Sequence, residues 1–206
     1  MRRVIEAAPQ AGGRESMGDA GATAGLWWPA ARACPSPNRD PRPLGVEPEL
    51  IVIHAISLPP GNFGGPFIVQ LFTNTLDPRQ HPFFAEIADL RVSAHVVIGR
   101  DGLATQFVPF DERAWHAGVS CWNGRECCND FSIGIELEGC DERAFTEAQY
   151  AALVRLIRWL RVQFPRLAAE AAIAGHSDIA PGRKTDPGPH FDWAYLAGQL
   201  KGDLTA

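Results

Sequence analysis

Apolar positions cluster in a few short runs separated by stretches rich in proline and glycine. The first clear run is 49–56, ELIVIHAI. Its apolar residues are continuous rather than alternating, which predicts a strand covered on both faces. The loop SLPPGNFGGP (57–66) follows, then a short apolar segment at 67–73 that predicts the start of a helix, then turn chemistry at 77–82. Residues 91–98 predict a second strand. Gly99-Arg100-Asp101-Gly102 ends it as a hairpin, with 104–110 as its partner, and 114–118 is loop. FSIGIELEG (131–139) alternates, with Ile133, Ile135 and Leu137 on one face and Ser132, Gly134, Glu136 and Glu138 on the other. Thr146 opens a helix with Gln149 as the second half of a capping box. Leu153, Leu156, Ile157, Leu160 and Phe164 form its apolar stripe, and Pro165 stops it. A buried strand at 171–174 and a helix at about 191–201, with Phe191, Tyr195, Leu196 and Leu200 as its apolar side, complete the pattern. The sum is an α/β (α+β) domain in which helices flank a mixed central β-sheet.

Residues 1–25 are rich in alanine and glycine, carry no period, and read as a disordered tail in which Met17 offers a second start. Trp27-Trp28 begins ordered chain, and the prolines of CPSPNRDPRPLG (34–45) predict an extended segment wrapped over the surface. The expected organisation is an N-terminal extension, 1–33, and one domain, 34–206.

Composition narrows the partners. The net charge is −5 with scattered Lys and Arg, which argues against nucleic acid. No run approaches the roughly 18 apolar residues of a membrane span. Arg2 and Arg3 lack an apolar stretch behind them, so the N-terminus is no secretory signal and a cytosolic location is expected. Five cysteines at irregular spacing do not suggest a disulfide framework. Cys127-Cys128 has no second pair to complete a thiolate metal site.

The candidate chemistry centres on AAIAGHSDIAPGRKTDPGPHFDW (171–193), which brings His176, Lys184 and Asp186 onto a stiff Pro/Gly loop. Imidazole and carboxylate suit zinc, and an open zinc site needs three protein ligands plus water. His54, ending the first apolar run, is the best third ligand. Each residue also has a plainer reading: His54 and His176 as core histidines, Asp186 before proline as a turn residue, Lys184 as an exposed loop lysine. Glu136 is more informative, because a carboxylate within an apolar strand is costly to bury unless paired or near a metal. It would serve as general base, with Lys184 stabilising an oxyanion. His95 suits the core or a supporting role, His116 after Trp115 suits a substrate groove, and His81 and His190 suit the surface. The residues alone stop at a possible zinc hydrolase.

The stretches IVIHAISLPPGNFGGPF, LRVSAHVVI, VPFDERAWHAGVS, CNDFSIGIELEG and AGHSDIAPGRKTDPGPHFDW run in order and together resemble the AmpD-type N-acetylmuramyl-L-alanine amidases. These are zinc enzymes of the amidase-2 superfamily, related to T7-lysozyme-type amidases and peptidoglycan recognition proteins. The resemblance implies their fold, zinc held by His54, His176 and Asp186, a catalytic Glu136, and Lys184 as transition-state stabiliser. It implies that Arg91 and His116 line the substrate groove. The implied reaction is hydrolysis of the amide between (1,6-anhydro-)N-acetylmuramic acid and L-alanine of the stem peptide, in peptidoglycan recycling, by a monomer acting on a small muropeptide. Two positions depart from the family pattern: Ala55 stands where Asn commonly follows the first zinc histidine, and Cys127 where Arg commonly precedes Cys-Asn-Asp. Both family residues contact substrate, so stem-peptide recognition is where this chain should differ. The rival readings are a periplasmic cell-wall amidase, against which the absent signal argues, and a non-catalytic muropeptide-binding module, which would usually lack a metal ligand.

Overall fold

The computed structural model describes residues 25–201. The N-terminal tail expectation and Met17 therefore lie outside the described residues, apart from Gly25. Strands β1 (Arg32–Ala33) and β2 (Arg39–Pro41) belong to the proline-rich N-terminal segment. Strand β3 (Leu50–Ile56) follows, then helices α1 (Phe67–Phe72) and α2 (Pro82–Glu86). Next come β4 (Val96–Ile98), β5 (Ala104–Gln106) and β6 (Glu112–Ala114). A hairpin of β7 (Cys121–Trp122) and β8 (Arg125–Glu126) leads through a 3-10 turn at Cys128–Asp130 into β9 (Ser132–Glu138). Helix α3 (Glu147–Gln163), β10 (Ile173–Gly175), α4 (His176–Ile179) and α5 (Trp193–Lys201) complete the fold.

The central sheet has the order β1-β5-β4-β9-β3-β10. Only the β4–β5 pair is antiparallel, so the sheet is mixed, as its pattern predicts. β3 lies between β9 and β10, and Leu50 to Ile53 are fully buried, which explains the unbroken apolar run. Ile51, Ile53, Ile133, Ile135 and Leu137 pack with Leu153, Leu156, Ile157 and Leu160 of α3. Leu50 and Val52 turn the other way, onto Ala117, Phe131 and Ile179. One face of the sheet is therefore a helix-covered core, and the polar members of β3 and β9 share the opposite face with a smaller apolar floor.

The capping box of α3 forms as the sequence requires, Thr146 Oγ1 accepting from Gln149 N–H and Gln149 Oε1 from Thr146 N–H. Gln149 also donates to the carbonyls of Ile98 and Glu138, which locks the start of the helix to the ends of β4 and β9.

Several expectations shift. Residues 91–95 are not strand, because polar side chains take partners that a ladder would use. Ser93 Oγ donates to Asn38 O, and His95 Nδ1 accepts from Gly134 N–H. The partner strand runs only to Gln106, with one further in-register bond from Phe107 N–H to His95 O. The predicted turn at 77–82 runs into α2, whose start carries proline and a side-chain cap from His81 to Phe83 N–H. Phe164 caps α3 from outside the helix, and Tyr195 is exposed on α5. Glu138 is buried, accepting from Gly64 N–H at 2.5 Å and Arg100 N–H at 3.3 Å. The Asn123-Gly124 turn of the β7–β8 hairpin, both residues at positive φ, was a legible signal. Trp28, where ordered chain is expected to begin, is buried, and β1 pairs with β5. Residues 34–45 do wrap the surface, with β2 pairing β6.

Candidate metal centre and active site

The site forms at the carboxyl ends of the parallel strands, where open α/β sheets leave a crevice. The β3–β9 register sets His54 directly beside Glu136. The β3–β10 register pairs Gly175 with Ile53, so the next residue, His176, arrives next to His54. A Cβ on Gly175 would lie 2.9 Å from Pro187 Cδ, so only glycine admits the 184–188 loop this closely. Ser177 N–H donates to Asp186 O at 2.9 Å and ties that loop to the start of α4.

His54 Nδ1, His176 Nδ1 and Asp186 Oδ2 form a tight triangle. Its sides are 2.9 Å between the two nitrogens, 3.1 Å from His54 to Asp186 and 3.0 Å from His176 to Asp186. A tetrahedral ion with ligand distances of about 2.0–2.1 Å needs donor separations of about 3.3 Å, so the three atoms are close to a metal-binding face without rearrangement. Both histidines are buried and Asp186 is nearly so. Burial, reinforced by His176, holds His54 down to about 4, so its ring is neutral and available as a ligand near neutral pH.

Glu136 shares this face. Its Oε2 is buried and has no hydrogen-bond partner among the described residues. Burial, with the charge of Asp186 nearby, pushes Glu136 well above the usual carboxylate range, while Lys184 pulls the other way. Lys184 itself is exposed on the loop, close enough to act electrostatically on both Glu136 and His54. An unpartnered basic oxygen beside a metal-competent triangle is what general-base chemistry on water requires.

The remaining candidates take different places. His116 stands behind His54, with Nδ1 2.9 Å from His54 Nε2 and Nε2 3.1 Å from Ser132 Oγ. Both its ring nitrogens are thus engaged by protein rather than held out toward a groove. Arg91 is exposed and bonds its own loop, at the carbonyls of Ala88 and Leu90. Ala55, next to His54, packs with the α3-side core on the other face of the sheet, away from the triangle. Cys127 is exposed in the left-handed region, φ 59°. It lines a shallow hollow of about 360 Å³ with Val119, Cys121, Ile179, Pro181 and Arg183. All five cysteines are free.

Two supporting residues carried no sequence signal. Arg183 Nη2 donates to the carbonyls of Ala117 and Val119, both at 2.7 Å, and Ala117 O accepts from His176 Nε2 at 3.1 Å. Arg42, from the proline-rich wrap, reaches the carbonyls of Phe110, Asn129, Asp130 and Ser132. Nothing local in either neighbourhood marks an arginine as structural.

Two histidines and a carboxylate converging at one point, with a second carboxylate facing them, make this a candidate metal centre of the hydrolytic class. The sequence model of the N-acetylmuramoyl-L-alanine amidase family, amidase-2, matches residues 44–189, and the chain belongs to that family. It is 62% identical over 168 residues to the 1,6-anhydro-N-acetylmuramyl-L-alanine amidase AmpD of Escherichia coli (strain K12), covering 82% of this chain and 91% of that protein. It is 51% identical over 170 residues to AmpD of Haemophilus influenzae, covering 82% and 92%. A crystal structure of a selenomethionine AmpD derivative superposes with a TM-score of 0.82 at 57% identity, covering 84% of this chain and 96% of that one. The Escherichia coli amidase AmiD, solved with the substrate anhydro-N-acetylmuramic acid-L-Ala-D-γ-Glu-L-Lys, matches at 30% identity with a TM-score of 0.55, covering 77% and 60%.

Proposed function

We propose that this protein is a zinc-dependent 1,6-anhydro-N-acetylmuramyl-L-alanine amidase that releases the stem peptide from anhydro-muropeptides during peptidoglycan recycling in the cytosol. The observation that carries the reading is the placement of Glu136: in register with His54, facing the triangle, one oxygen buried and unpartnered. High identity to AmpD proteins along most of the chain supports the substrate class. For location, no helix among the described residues is long and apolar enough to cross a membrane.

His54, His176 and Asp186 would hold the zinc, two neutral imidazoles and one carboxylate leaving a net positive centre. When bound, the zinc supplies Lewis acidity toward the amide carbonyl and toward water. Glu136 Oε2 takes the proton from the attacking water and passes it to the departing amine of L-alanine. Its raised proton affinity suits both halves of that transfer. Lys184, exposed at the mouth, offsets the negative charge that develops on the carbonyl oxygen; one such stabiliser is worth about 2.7–4 kcal/mol. Arg91 and the hollow beside Cys127 are the groups left to meet the rest of the substrate. With a thiol where the family carries a guanidinium, the contact to an acidic stem peptide is weaker, since a bidentate arginine–carboxylate pair is a strong one.

The test is hydrolysis of anhydro-muramyl tripeptide by purified protein, before and after chelation and after zinc add-back, with products read by mass spectrometry. Release of free tripeptide that stops with chelator and returns with zinc supports the proposal. Intact substrate in the presence of one bound zinc per chain would overturn it.

A further inference from the structure

We propose that His116 is a positioning residue which, together with Ser132, holds the His54 imidazole in its Nε2–H tautomer, leaving the Nδ1 lone pair to face the metal. The inference rests on the metal-centre reading above. It follows from counting protons along a chain of four groups. Ser132 Oγ lies 2.5 Å from Cys128 O. A carbonyl only accepts, so the single hydroxyl proton of Ser132 is committed there. Ser132 Oγ can then only accept from His116 Nε2, 3.1 Å away, which places the ring proton of a neutral His116 on Nε2. Its Nδ1 is left as an acceptor, and His54 Nε2 at 2.9 Å must donate to it. A neutral His54 with its proton on Nε2 presents a bare Nδ1 to His176 and Asp186, the side on which the metal-binding triangle forms. His176 reaches the same state by a shorter route, donating from Nε2 to Ala117 O.

The ring of His116 is built into place. A Cβ on Gly134 would come within 2.4 Å of His116 Cγ, so the ring lies flush against bare β9 backbone. Asn129 Oδ1 accepts from the backbone N–H groups of His116 and Ala117, at 3.1 and 2.8 Å, and pins the loop that carries the ring. Groups of this kind behind a metal-binding histidine set its tautomer and orientation, and their loss typically costs about 10–100-fold in metal affinity.

The test uses the full chain, stripped by chelator for the first readout. Long-range 1H–15N correlation of 15N-histidine-labelled protein reports which nitrogen of His54 carries the proton. Wild type should show Nε2–H alone. Zinc titration against a competing chelator is the second readout. His116→Phe, which has no acceptor, should give a mixture of His54 tautomers and bind zinc about 10–100-fold more weakly. His116→Asn, whose Oδ1 can stand where Nδ1 stood, should restore the wild-type tautomer and most of the affinity. Ser132→Ala and Gly134→Ala perturb the same chain from other residues and should shift both readouts in the same direction. An Nδ1–H tautomer in the wild type would overturn the proposal. So would zinc affinity and tautomer unchanged across folded His116→Phe, Ser132→Ala and Gly134→Ala. Wild-type protein that bound no zinc would instead defeat the metal-centre reading, so the two failures are distinguishable.

Discussion

Replacing Arg42 by methionine should destabilise the whole domain although Arg42 touches no candidate catalytic group. Methionine keeps the length of the stem and removes every donor. In the native fold the guanidinium reaches Asp130 O and Ser132 O at 2.9 Å, and Asn129 O and Phe110 O at 3.2 Å. These carbonyls belong to three stretches: the end of the 107–110 segment, the 3-10 turn and the first residue of β9. The turn includes Asn129, whose side chain pins the His116–Ala117 loop. Net contributions of charged hydrogen bonds are about 1.5–3 kcal/mol each. Arg42 is only half-buried and its five bonds to these four carbonyls share one group, so they do not add fully. Counting only the two short bonds, at the lower end of that range, gives about 3–4 kcal/mol. For a chain of this size each kcal/mol lowers Tm by about 2–4 °C, so a fall of about 6–16 °C is expected. Calorimetry on metal-free protein is the assay, because bound metal would add its own linked stabilisation. Arg42→Lys should fall between, keeping charge but losing the planar fork. A Tm for Arg42→Met within about 2 °C of wild type would show that these carbonyls find equivalent partners in water and that the clamp is not energetic.

Glu136→Ala should keep its zinc by elemental analysis yet lose about 100-fold or more in turnover, whereas His176→Ala should lose the metal itself. Turnover of Glu136→Ala near the wild-type rate would remove the general-base role. Cys127→Arg should lower the Michaelis constant for substrates with an acidic stem peptide, and an unchanged constant in steady-state assays would count against the thiol as the weak point. Thr146→Ala should cost about 1 kcal/mol in urea unfolding by deleting half of the α3 cap. Burial pushes Asp40 up, but its two 2.6 Å bonds from Arg113 win and leave it below its ordinary 3.8. Its contribution is therefore complete above that value and is lost as pH falls through the lower folded value. Acid unfolding of Arg113→Met should lack this part of the low-pH loss, and identical acid limbs would refute the assignment.

Features that depend on neighbours along the chain are legible without the fold. β3 is legible because both its faces are covered, so every position is apolar until His54. β9 is legible because one face is core and the other is polar, which produces a period of two. α3 is legible from its cap, its stripe and its stop at Pro165, all of which act within a turn or two. His54, Glu136 and His176 stood out because a polar group at the end or middle of an apolar run has few cheap explanations, whereas Asp186 before proline reads alone as a turn residue. The tertiary structure alone decided how those groups meet. His54 and Asp186 are 132 residues apart, and only the β3–β9 and β3–β10 registers bring their atoms to 3.1 Å. It also decided where side chains point when local cues are equal. Ala55 turns to the helix face, His116 backs onto His54 instead of standing free, and the backbone of Val92 and Ser93 leaves the ladder for partners at Asn38 and Trp115. Periodicity carries the identity of a face. A hydrogen bond needs two atoms at a fixed distance and angle, and for residues remote in sequence that distance is a property of the packed fold.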